Sequence, residues 1–273
     1  MIRNIILIIL FLVTVSLIFA YLQFCYMVNK EVKTLYSKNL EDKKIVTEEM
    51  LQGLPSPVQK YLRYSGAVGK AWINTVSLKQ TGRIKPSPQG KWLPIAAEEY
   101  YSINPPGFIW RARGPQKWLP IIHGRDGYQD GKGQLLIKLF SLFPVASAEG
   151  EELDQGATMR YLNEMMWFPT AFLGDNISWK AIDENSAQVT LSFKDKNVSA
   201  VMYFDDEGKL INFVAQRYFS TGNGFSLETW ETPISDYKNI NGFNLPIKGS
   251  AVWKLSSGDY TYIDILIDEI TYN

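Results

Sequence analysis

From Asn4 to Asn29 the chain carries no charged residue, and the run Ile5 to Val13 is wholly apolar before continuing through Ile18, Phe19 and Leu22 to Met27. An apolar stretch of more than about 18 residues is long enough to cross a hydrocarbon core as a helix. A cleaved leader has a shorter apolar core and a small-x-small cleavage site. Here Ile18 stands two residues before Ala20, and Leu22-Gln23-Phe24 puts no small residue ahead of Cys25 as a lipoprotein leader does. Residues 1–29 are therefore expected to be a retained transmembrane anchor, in contact with the membrane through residues 5–27. Arg3 precedes the run, whereas Lys30, Lys33, Lys38, Lys43 and Lys44 follow it. That count favours a cytoplasmic domain, but long domains translocate with little regard to charge. Glu31, Glu41 and Asp42 also dilute the cluster, so the charge rule leaves the side open.

The 273 residues hold 28 Lys and Arg against 28 Asp and Glu, with one His and one Cys. Setting Arg3 and Lys30 aside leaves the rest faintly acidic, without the basic footprint that phosphate-backbone binding needs, so nucleic acid is not an expected partner. A single cysteine forms no internal disulfide and no multi-cysteine zinc site, and a single histidine rules out a His-rich metal site. No metal and no cofactor are expected.

Residues 30–46 are charged and aperiodic and read as a tether, with helix open over part of it. Residues 47–273 read as one β-rich domain. Thr47 with Glu48 and Glu49 suits a short helix start. Ser56-Pro57 opens a second helix through Arg63-Tyr64, with Gly66 as its stop. From Trp72 the apolar period becomes two, as in Thr75 to Thr81 and in Ala187, Val189, Leu191 and Phe193. Turn signals at Asn104 to Gly107, Asp130-Gly131, Asp206 to Gly208 and Ser257 to Asp259 join these runs into an antiparallel meander. Met159 to Phe168 reads as an inserted helix, near 157–173, between β-rich halves at about 72–145 and 177–273. Several strands, Val198 to Phe204 among them, are apolar on both faces. A flat sheet with one wet face does not need that; a strongly curved sheet or unclosed barrel around a helix or a cavity does. The fold class is thus mainly β (α+β), with short N-terminal helices after one transmembrane helix.

Three segments resemble a bacterial domain family of unknown function. They are Leu54-Pro55 with Pro57 to Arg63, Pro105 to Arg113, and Arg160 to Glu164 with Trp167 to Ala171. More distantly, Phe204 to Leu210, Tyr237 to Pro246 and the last strand Ile263 to Tyr272 are similar to the LolA/LolB-like lipoprotein-carrier superfamily. That resemblance implies an unclosed antiparallel barrel that cups helices and carries acyl chains on its concave face.

Arg160, Glu164 and Trp167 share one helical face at i, i+4 and i+7. Glu164 is a candidate general acid or base oriented by Arg160, although an ion pair beside a packing tryptophan explains the spacing more simply. His123 and Asp126 find no Gly-x-Ser-x-Gly nucleophile elbow and fall on opposite strand faces. Asp126 to Gly131 fails as a calcium loop, because Tyr128 and Ile137 occupy ligand positions. No phosphate-binding glycine loop is present. Arg111 and Arg113 point one way and Trp110 and Ala112 the other. The run Leu135 to Val145 suits a core strand, a lip over an apolar ligand, or a surface touching a bilayer.

These observations lead to the expectation of a non-enzymatic, membrane-tethered domain that binds a lipid or other apolar ligand. Trp110, Phe140, Trp167 and Trp230 would line the cavity, with Arg111 and Arg113 at its rim. The alternatives are a carboxylate-dependent hydrolase or transferase acting through Glu164 and Arg160, and a protein-interaction module of the envelope. The expected location is the inner (cytoplasmic) membrane, single-pass, with the domain on its outer side.

Overall fold

A computed structural model describes residues 1–114 and 121–273; Trp118 lies outside these. The N-terminal helix α1 (Ile2–Ser37) is longer than the apolar run that announces it. Residues 2–19 are exposed apart from the half-buried Leu17, whereas Phe24, Val28 and Leu35 are buried. Those three pack with Ile109, flanked by Val32, Tyr36 and Tyr100. The expected tether at 30–46 is therefore helical to Ser37, because Val32, Leu35 and Tyr36 give the charged stretch one apolar face to bury. The chain then runs extended, making a single bridge between Ile45 and Ala71.

Among the described residues fourteen strands form one antiparallel sheet. The first half holds β1 (Thr75–Ile84), β2 (Leu93–Ser102), β3 (Gly107–Gly114), β4 (Ile122–Gln129), β5 (Lys132–Leu139) and β6 (Phe143–Ala148). After the helical insertion come β7 (Ile177–Ala181), β8 (Ser186–Phe193), β9 (Lys196–Phe204) and β10 (Leu210–Ser220). The chain ends with β11 (Phe225–Glu231), β12 (Ile234–Ile240), β13 (Phe243–Leu255) and β14 (Gly258–Tyr272). The order is β6-β5-β4-β3-β2-β1-β14-β13-β11-β10-β9-β8-β7, with β12 added on β13. β6 and β7 do not pair, so the sheet curls without closing. Bulges at Lys79/Gln80 and Ala251/Val252 fall on the long central strands, where an extra residue bends and twists the ladder. The Asp130-Gly131 hairpin has both turn residues at positive φ, as a tight Asp-Gly turn requires.

The insertion comprises α3 (Glu151–Glu164) and two short 3₁₀ turns, Met165–Trp167 and Pro169–Leu173. It begins eight residues before the expected Met159, with Glu151, Glu152 and Asp154 in its first turn where the helix dipole favours acids. Nearly every residue from Asp154 to Phe172 is buried, because the helix lies inside the curl. Tyr161 and Phe168 interlock with Tyr101, and Tyr128 stacks on Tyr161. The helix α2 (Ser56–Tyr64) packs Val58, Tyr61 and Leu62 inward, Tyr61 meeting Phe172 and Phe204. One end of the concave face is thereby filled by aromatic packing. The other end is not.

Candidate functional site

Period-two alternation sends Trp110 and Ala112 of β3 to the concave face and Arg111 to the convex face. Above the aromatic plug the concave face encloses a half-open cavity of about 1130 Å³. Its walls are β1 to β5, β10, β11, β13, β14 and α3, and its surface is mostly apolar. Trp110, Trp167, Trp230 and Trp253 all face it. At the far end of the strands it is bordered by Pro86, Pro88, Leu93, Ile122 and Phe225.

The floor carries a charged cluster. Arg160 donates from Nε to Glu164 Oε1 at 2.8 Å, from Nη1 to Asp126 Oδ2 at 2.7 Å and from Nη2 to Glu99 Oε1 at 2.7 Å. Its guanidinium also lies over the rings of Phe108 and Trp110. Tyr101 Oη donates to Glu164 Oε2 at 3.1 Å, Gln80 Nε2 donates to Glu99 Oε2 at 2.8 Å, and Trp110 Nε1 donates to Gln80 Oε1 at 3.2 Å. Burial raises the Glu99 carboxyl well above the usual glutamate range, against the pull of Arg160 and with a further push from Glu164. Burial likewise raises Glu164, with Arg160 opposing. One guanidinium faces three carboxylates here, and burial makes Glu99 and Glu164 hold their protons more tightly than exposed glutamates do.

A second cation stands in the wall. Arg217 Nε donates to the Gly156 carbonyl at 3.1 Å and Nη1 to Tyr262 Oη at 3.3 Å, with Trp230 and Trp253 beside the guanidinium at 4.8 and 5.7 Å. Among the described residues no carboxylate lies within 4.0 Å of it, although Glu228 is its partner in register on β11. No group of three His, Cys, Asp or Glu among the described residues is arranged to hold a metal ion.

The sequence-derived residues divide between the two faces. Trp110, Trp167 and Trp230 line the cavity, and Arg160 and Glu164 form its floor. Arg111 is on the convex side, bonded to Glu98 and to Asn29 of α1. Arg113 is exposed at the end of β3 and borders both the cavity and a small convex pocket beside Tyr21. Phe140 sits in the β5–β6 turn, outside the cavity lining. His123 is buried between the sheet and α1, with Tyr21 and Phe24 on its ring and its Nδ1 2.9 Å from Ser141 Oγ. Burial lowers its pKa, and Arg113 and Arg111 add to the effect. Arg217 and Tyr262 escaped the sequence reading. Their only signal was inward parity on their strands.

Residues 44–265 match the model of a group described as a family of unknown function, DUF6544. The chain belongs to that family. No curated protein matches it. Among solved structures, the chain is similar to a LolA superfamily protein from Nitrosomonas europaea, with 10% identity and a TM-score of 0.44 over 80% of this chain and 92% of that one. It is also similar to a domain described as an outer membrane lipoprotein-sorting protein from Vibrio parahaemolyticus, with 7% identity and a TM-score of 0.44 over 73% of this chain and 86% of that one.

Proposed function

We propose that the domain is a membrane-tethered binder of a lipid or a similar apolar molecule, held on the concave face between α3 and the sheet. The observation that carries this reading is the cavity itself. Protein interiors are packed to crystal density with few voids larger than a water molecule. A space of about 1130 Å³ walled by tryptophan and isoleucine is an apolar site of the size that holds small molecules, and apolar walls hold water poorly. Arg217 supports a ligand with an anionic or strongly polar end, because a guanidinium among aromatic rings gains from a partner that the walls do not supply. The 36-residue helix supports the tether: its N-terminal part is apolar, exposed and long enough to enter a bilayer. The outer side of the inner membrane is the location proposed for the domain.

Photo-crosslinking tests this with the full chain in nanodiscs and a fatty acid carrying a diazirine in its tail. Adducts are expected on peptides containing Trp110, Trp230 or Trp253. Adducts confined to α1 and the convex face would sink the reading.

One observation favours a second reading, a carboxylate-dependent hydrolase or transferase. Glu164 and Asp126 both face the cavity and share Arg160. Glu164→Gln keeps the shape of the cluster. If that variant folds and supports the wild-type cellular phenotype, the catalytic reading is finished.

A further inference from the structure

The helix α1 is docked along the convex face in the direction opposite to β3. Leu35 reaches Gly107 at the start of β3, Asn29 bonds to Arg111 at its middle, and Tyr21 and Phe24 stack on His123, the partner in register of Arg113 near its end. Beyond Ala20 the helix leaves the sheet and is exposed. It leaves at the end of the strands away from the aromatic plug, where Gly114, Ile122, Ile84 and Leu93 line the half-open cavity. The opposite end is the one closed by the aromatic plug.

Length sets how far the domain stands from the bilayer. The exposed, uncharged residues 4–19 span only about 24 Å of helix, against a hydrocarbon thickness of about 30 Å. The missing thickness of about 6 Å falls on the next four residues of α1, 20–23, where Leu22 remains outward and exposed while Tyr21 packs on His123. The β5–β6 turn is fixed at the same level through Ser141 and His123.

That turn is built to project. Phe140 and Ser141 are both left-handed, at φ 53° and 60°, a conformation costing a non-glycine residue about 1–2 kcal/mol. Leu142 in the turn and Phe143 and Val145 on the free edge strand follow at 43, 57 and 59% exposure. A soluble domain would gain by burying or replacing them. Lys85 and Arg113, which line the cavity at this end, have no carboxylate partner within 4.0 Å among the described residues, and Lys138, beside the lip in register with Pro144, has none either, a pattern suited to anionic headgroups.

We propose that the mouth of the cavity rests in the headgroup layer of the bilayer that α1 enters, with Leu142, Phe143 and Val145 immersed as its lip. An apolar ligand then passes between bilayer and cavity without crossing water. The inference rests on α1 being a membrane span and is independent of what the cavity holds.

The test uses the full chain with Cys25→Ser and one new cysteine, Phe143→Cys or Val145→Cys, labelled with a fluorophore. Glu207→Cys, in the β9–β10 turn at the closed end, is the reference. The protein is reconstituted into phosphatidylethanolamine vesicles containing phosphatidylglycerol and a lipid bearing a headgroup nitroxide. Quenching at 143 or 145 several-fold above that at 207 is expected, together with flotation of the protein with the vesicles. Flotation with equally weak quenching at all three sites would overturn the proposal while leaving the anchor intact. Energy transfer between copies at 143 without lipid quenching would also overturn it, showing the lip to be a protein contact. Failure to float would overturn both the anchor and the proposal.

Discussion

Arg160 and Glu99 form an ion pair of 2.7 Å in which the glutamate side chain is completely removed from solvent. Breaking a buried pair leaves an uncompensated charge, which typically costs about 3–5 kcal/mol. Arg160→Met should lose that much in urea denaturation of the full chain. Adding Glu99→Gln should recover part of the loss, since the two sites share one network and their effects are not additive.

The same cluster sets a pH dependence. The usual glutamate value is 4.5, and burial holds both Glu99 and Glu164 above it. Above that value the unfolded chain releases protons that the folded chain keeps, so this contribution to stability is largest at low pH and is lost as pH rises through the raised values. Thermal denaturation followed as pH rises above the usual glutamate value should show the wild type losing stability that Glu99→Gln retains. An identical slope in both proteins would refute the assignment.

Ala112 faces the cavity and Ala187 faces packed core, although both are buried. Overpacking a filled core costs about 1–3 kcal/mol. Ala187→Phe should show that cost in chemical denaturation. Ala112→Phe should stay below it while reducing the yield of cavity crosslinks.

Arg217 is the residue on which a charged ligand end would depend. A hydrogen bond to a charged group is worth about 1.5–3 kcal/mol, or about tenfold or more in affinity. Arg217→Gln should weaken binding of a fatty acid by that factor and leave the matching fatty alcohol unchanged, as measured by competition against a fluorescent acyl probe. Equal weakening of both would mean that Arg217 only supports the wall.

Leu35 is 4% exposed beneath α1, and a buried Leu→Ala change costs about 2–5 kcal/mol. Leu35→Ala should lower the denaturation midpoint accordingly. A chain beginning at residue 38 should be less stable than one beginning at residue 20, because only the latter keeps Phe24 and Val28 over Ile109.

The curled antiparallel sheet was legible in the period-two runs and turn signals, but the strand that reads as apolar on both faces, Val198 to Phe204, buries only Val198, Ala200, Met202 and Phe204 and leaves Ser199 and Tyr203 exposed. The floor was half legible: the Arg160 and Glu164 spacing is local, whereas Glu99 and Asp126 reach Arg160 across sequence separations of 61 and 34 residues. The true start of α3 was hidden by Gly156, a poor helix former, although a Cβ there would make only ordinary contact with Arg217 Nε at 3.4 Å. The docked half of α1 was missed because charges at Lys30, Glu31 and Lys33 mask an apolar face of three residues. Glu31 is itself a docking group, since its carboxylate accepts from Arg125 Nε at 2.7 Å.

The unpaired edges at β6 and β7 have a mechanical consequence. In a closed barrel, widening the bore breaks a row of interstrand hydrogen bonds; in this sheet no such row joins the first strand to the last. The curl can relax by small changes of twist spread over many strands, at the cost of side-chain contacts alone. If the cavity holds a ligand as proposed, such a seam would let one backbone fit guests of different girth around α3.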